Sequence, residues 1–167
     1  LGMMVMVGIL SHTGLFEWFA VQAYKRSGGS VWVPGSYDPA LDLAYYGTAP
    51  TYDTAPLLYS LNEEGVTNEA LYTNATIALR PKTAELGWYF QHMPNDQSDC
   101  DWVFERQIVE LNVDGAMRKV IVTAGKMALY DALDAETGED IDSFDVGIQN
   151  IVIAIDPITG DKTINHI

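Results

Sequence analysis

The sequence predicts an all-β chain, and three observations carry the prediction. Hydrophobic residues make up 48% of the 167 residues and charged ones 19%, enough apolar material for a core and too little charge for disorder. Short β-branched or aromatic runs recur between Gly, Pro, Asn and Asp. Sustained helical periodicity is scarce, the best short candidates being Pro56 to Leu61 and Trp102 to Glu105, neither well capped.

In chain order, Met3 to Ile9 reads as a buried strand, with Gly8 as a kink or close-approach site. The apolar opening is too short to span a bilayer and has no basic region or cleavage pattern. Further strands are expected at Val31 to Val33, Leu43 to Tyr46, Ala75 to Leu79, Lys119 to Thr123 and Ile151 to Ile155. A repeat emerges when three segments are aligned, Ile77 to Glu85, Ala132 to Glu139 and Ala154 to Asp161, each an apolar strand, an Asp or Pro turn and a Thr-Gly before the next strand, with Ala84 replacing the Gly in the first. In such a hairpin Gly supplies positive φ, and Asp or Thr bonds the turn backbone. Beyond the first turn the hairpin reaches Trp88, an aromatic that can pack between neighbouring sheets. The spacings of 54 and 22 residues suit a β-propeller whose blades carry insertions. No linker or low-complexity tract divides the chain, so residues 1–167 are expected to form a single partial domain. It begins without Met and its strand pattern runs to Ile167, which leads to the expectation of a piece of a longer protein.

The net charge of −14 excludes nucleic acid as a partner, because phosphates would be repelled. Cys100 is the only cysteine, so neither an internal disulfide nor a cysteine-built zinc site is available. His12 and His92 are isolated in sequence and read as satisfied or surface residues rather than ligands. Asn74-Ala75-Thr76 is a glycosylation sequon, relevant only in a eukaryotic secretory route.

Two segments carry chemistry. One runs from Gly28-Gly29-Ser30-Val31-Trp32 through Tyr45-Tyr46-Gly47-Thr48; the other is Trp88-Tyr89-Phe90-Gln91-His92-Met93-Pro94-Asn95-Asp96-Gln97-Ser98-Asp99, with Asp101 two positions on. On residue types alone, Trp32 is equally a core aromatic, the acidic cluster a solvated loop, and Lys126 a surface lysine. Taken together with the Thr159-Gly160 turn, these segments resemble the pyrroloquinoline-quinone (PQQ)-dependent alcohol dehydrogenases, which include methanol dehydrogenase. The resemblance implies part of an eight-bladed propeller that binds PQQ near its axis. It implies that Trp32 is the stacking floor beneath the quinone, where offset π-stacking adds to burial, and that Ser30 and Ser11 contact the cofactor. Asp99 is then the base that takes the alcohol's proton while hydride passes to the quinone. Lys126 reaches the quinone oxygens and stabilises charge there. Asp99 and Asp101 are the implied ligands of calcium or a lanthanide, Asp101 being the extra hard oxygen ligand of the lanthanide branch. The family's remaining Glu and Asn ligands have no counterpart in Ser11-His12-Thr13-Gly14 or Gly47-Thr48-Ala49-Pro50. The implied activity is oxidation of a primary alcohol to an aldehyde in the periplasm, with cytochrome c or a quinone as electron acceptor. A non-catalytic PQQ-like repeat serving as a binding module or scaffold is the alternative. Exposed blade edges also predict an oligomer.

Overall fold

The computed structural model describes residues 30–50, 64 and 69–165. Among them there is no helix, and ten strands form three antiparallel sheets. The first sheet is β1 (Ser36–Asp38), β2 (Leu43–Gly47), β3 (Ala75–Leu79) and β4 (Leu86–Gln91), paired in sequence order. The second is β5 (Gln107–Val113), β6 (Ala116–Ala124), β7 (Leu129–Asp134) and β8 (Asp140–Asp145), again in sequence order. A third begins with β9 (Val152–Ile155) and β10 (Lys162–Ile164). Two four-stranded meanders followed by the start of another are successive propeller blades.

The hairpin turns follow one chemical rule. The Asp134 carboxylate accepts the Glu136 and Thr137 N–H groups, both at 2.9 Å, and Gly138 N donates to Asp134 O at φ +78°. Asp156 repeats this with Ile158, Thr159 and Gly160. Ala84 takes the left-handed position of the β3–β4 turn at φ +55°, donating to Arg80 O. A fourth copy at Asp38 to Asp42 escapes the sequence pattern: Asp38 caps Ala40 and Leu41, while Asp42 rather than Gly adopts φ +52°.

Blades meet through side chains that these turns place. Trp88 on β4 lies against Gly138, where an added Cβ would sit 2.4 Å from the indole. The same indole donates to Ala135 O at 3.2 Å, and Tyr45 Oη donates to that oxygen at 2.9 Å. Leu43, Tyr45, Ala78 and Trp88 thereby pack with Ile121, Leu133 and Ala135 in one inter-blade core. A second core joins Met93, Cys100, Trp102, Met127 and Leu129 to Val152 of the third sheet.

Two expectations are corrected. Val31 to Val33 is not a strand: Ser30 alone bridges Ala49, and regular pairing starts at Ser36. Pro34 has no N–H to donate to a ladder, and Gly35 lies directly under Tyr46, so the β-branched run is interrupted before it can pair. Trp102 to Glu105 is not helical, because the adjacent Trp102 and Val103 are both buried as the chain crosses between blades. Met3 to Ile9 and Pro56 to Leu61 lie outside the described residues, as do Ser11 and His12.

Candidate functional site

Strand alternation sorts the loops to two ends. The β1–β2, β3–β4, β5–β6 and β7–β8 turns leave one end, whereas the β2–β3 connection, residues 92–106 and the β6–β7 turn lie at the other. All the described candidate residues fall at this second end. Ser30 pairs through its backbone with Ala49, just past β2, which places Trp32 there as well. Trp32 is 60% exposed, so it is not a core aromatic.

Residues 92–106 leave β4 and are held by a buried carboxylate. Asp96 Oδ1 accepts the Ser98 N–H at 2.8 Å, and Oδ2 accepts the Cys100 N–H at 2.7 Å and Asn74 Nδ2 at 2.6 Å. Between the two bonded peptides, Asp99 adopts φ +55° and exposes 66% of its side chain. Across from it, Gly125 opens the β6–β7 turn tightly against Trp102, where a Cβ would come within 2.6 Å of the indole, and Lys126 N donates to Asp101 O. This brings the Lys126 ammonium 3.0 Å from Asp99 Oδ2 and 2.6 Å from Asp101 Oδ2. The Asp101 carboxylate first, and Asp99 with it, hold that ammonium above the ordinary lysine range. Three of the candidate residues thus meet in one cluster; Ser30 and Trp32 stand on the neighbouring blade without a hydrogen bond to it.

Beneath the cluster lies a buried network that the sequence reading missed. His92 stacks on Trp102 with centroids 4.9 Å apart and planes 6° from parallel. Its Nδ1 bonds Asp131 Oδ2 at 2.5 Å and its Nε2 meets Thr76 Oγ1 at 2.7 Å. Arg106 Nε donates to Thr76 Oγ1, while Lys162 Nζ and Ser143 Oγ donate to Asp131. The network spans all three sheets, and His92, Asp131 and Arg106 are fully buried. His92 is satisfied, as its isolation in sequence suggested. Burial pushes the Cys100 thiol up to about 12, with Asp96 and Asp99 adding to it, which leaves an inert thiol. Asn74 is buried, so the sequon is closed to a glycan.

Residues 12–163 match the model of the glucose/ethanol/alcohol dehydrogenase β-propeller domain, the PQQ domain. The chain belongs to that family. Among quinoprotein relatives, the dehydrogenase subunit of the quinone-type alcohol dehydrogenase of Acetobacter aceti is 35% identical over 159 residues, which is 94% of this chain and 21% of that protein. A quinohemoprotein alcohol dehydrogenase of Pseudomonas putida is 33% identical over 144 residues, 86% of this chain and 20% of its own. The chain therefore spans about a fifth of the length of the relatives it matches. The quinohemoprotein alcohol dehydrogenase from Comamonas testosteroni superposes with a TM-score of 0.74 at 23% identity, over 87% of this chain and 21% of that one, a likeness of fold. A europium-containing methanol dehydrogenase superposes at 0.69 with 29% identity, over 82% of this chain and 23% of that one. The partial quinoprotein propeller expected from the sequence is what the strands build.

The donor set fits the quinone better than the metal. PQQ is flat and anionic, and this end of the blades offers an exposed indole, a hydroxyl and an ammonium. For calcium or a lanthanide the described residues supply only Asp99 and Asp101, both already bonded to Lys126, with Ala49 and Pro50 where the Asn ligand is expected. Among the described residues no three His, Cys, Asp or Glu side chains converge. By themselves the described residues complete no metal site, and the carboxylates of Asp99 and Asp101 both face Lys126.

Proposed function

We propose that this chain is the part of a PQQ-dependent oxidoreductase that carries the base for oxidising a primary alcohol to an aldehyde. The observation that carries the reading is the Asp99–Lys126–Asp101 cluster, set at the same end of the blades as the exposed Trp32. Trp32 would stack on the quinone and Ser30 would bond it, with Ser11 belonging to the same reading. Bound there, PQQ supplies the acceptor for the hydride that leaves the carbinol carbon. Asp99 is an exposed carboxylate on a fixed turn, and it takes the hydroxyl proton, so loss of proton and hydride together yields the aldehyde. Lys126 is held in its charged form by Asp101 as well as Asp99, so a cation persists beside the base when Asp99 takes up its proton. Electrons would pass on to cytochrome c or a quinone in the periplasm.

A second reading, a non-catalytic propeller repeat acting as scaffold, is favoured by the engagement of both carboxylates with Lys126 and by Ala49-Pro50. Fluorescence titration with PQQ separates the two readings. Saturable quenching that disappears in Trp32→Ala, together with dye-linked alcohol oxidation abolished in Asp99→Asn, is expected for the enzyme. Absence of saturable quenching would leave the scaffold.

A further inference from the structure

We propose that Asp96 is a positioning residue for this reaction: its buried carboxylate, itself held by Asn74, sets the turn that presents Asp99. The inference rests on the reading of Asp99 as the base. Asp96 is fully buried; three N–H groups donate to its carboxylate, and the Cys100 thiol also hydrogen-bonds it. Two of them, the Ser98 and Cys100 amides, flank Asp99, so one side chain fixes the peptides on both sides of the proposed base. That matters because Asp99 holds φ +55°, a conformation that a non-glycine residue adopts only when its surroundings impose it. Asn74 reaches Asp96 from the start of β3, itself at φ +46°, and so ties the turn to the first blade. The Lys126 N–H bonded to Asp101 O ties the far side of the turn to the second blade. With both sides anchored, the backbone holds the Asp99 turn within reach of the Lys126 side chain. Reactivity depends steeply on such placement.

Amide hydrogen exchange and nuclear Overhauser spectra of the protein, Asp96→Asn and Asn74→Ala test the inference. The isosteric Asn puts an N–H donor where donors must be accepted. Exchange at Ser98 and Cys100 should accelerate by about ten-fold or more in Asp96→Asn. Asp99 should also lose the strong amide–Hα Overhauser effect of positive φ, while the buried Lys162 ammonium resonance persists as the marker of an intact fold. Asn74→Ala, which leaves both flanking amides accepted, should move the same signals less, and it carries the test if Asp96→Asn does not fold. In the PQQ-loaded protein kcat should fall by about ten-fold in Asp96→Asn with KM within about two-fold. Unchanged exchange and an unchanged Asp99 signature would overturn the inference, as would undiminished turnover in Asp96→Asn beside an inactive Asp99→Asn. Full turnover in Asp99→Asn would instead overturn the reading of Asp99 as base, whatever the exchange data show.

Discussion

His92 shows how a single residue couples the blades to pH. Burial pushes its imidazole down to about 4, the Arg106 and Lys162 cations push the same way, and the Asp131 hydrogen bond only partly offsets them. In the unfolded chain the ring titrates near the ordinary value of about 6.5. Between those two pH values the unfolded chain binds a proton that the native state refuses, so stability falls as pH drops from about 6.5 to about 4, by about 3 kcal/mol across the window. Asp131 acts elsewhere on the scale. Burial alone would raise it, but the His92 bond and the Lys162 charge leave it at about 2, so its contribution is lost only below the unfolded carboxylate range. Melting temperature followed from pH 7 to 4 should therefore fall in the native sequence and stay flatter in His92→Gln. An equal slope in both would show that His92 does not govern the window. None of this was legible in sequence, because a histidine bonded to a residue 39 positions away carries no local signature.

The element that decides blade packing is the five-residue hairpin turn with its left-handed residue. At Gly138 two costs coincide: φ is +78°, and a Cβ would strike the Trp88 indole at 2.4 Å. Gly115, at φ +87°, has nothing within 4 Å and pays only the first cost. Gly115→Ala should accordingly cost about 1 kcal/mol, and Gly138→Ala about 3 kcal/mol through added overpacking. Urea midpoints of the two variants check this; equal losses would mean that Trp88 yields freely. The turns were largely legible because their chemistry is local: Asp for the cap, Thr-Gly for the close. The copy at Asp38 to Asp42 was missed because it lacks both Thr and Gly, and Val31 to Val33 was misread because residue type outweighed the neighbouring Pro34. At the site, the family resemblance pointed to Asp99, Asp101 and Lys126 together, whereas their residue types alone did not. The role of Asp96 was hidden in an acidic run whose members look alike until the backbone shows which one accepts N–H groups two and four residues on.

At the scale of the whole molecule, the end of the second blade and the third sheet leave apolar side chains in solvent. Phe144 on β8, Ile148 after it, and Ile153 and Ile158 of the third sheet are 61%, 78%, 62% and 83% exposed, and among the described residues β9 and β10 form a sheet of two strands. Such a pair has marginal stability of its own and offers open edges for pairing. These 167 residues expressed by themselves should therefore self-associate through this blade. The net charge of −14 opposes that association, since copies repel one another at long range. Salt screens the repulsion, to within about 10 Å at 0.1 M, while leaving the apolar attraction intact. Light scattering coupled to size exclusion should then show a mass that rises with both protein and salt concentration. Ile153→Ser with Ile158→Ser should shift the population toward monomer at every salt concentration. A sharp monomer peak that is indifferent to salt and melts cooperatively would show instead that the blades close on themselves, and would remove the physical reason for expecting a partner on this face.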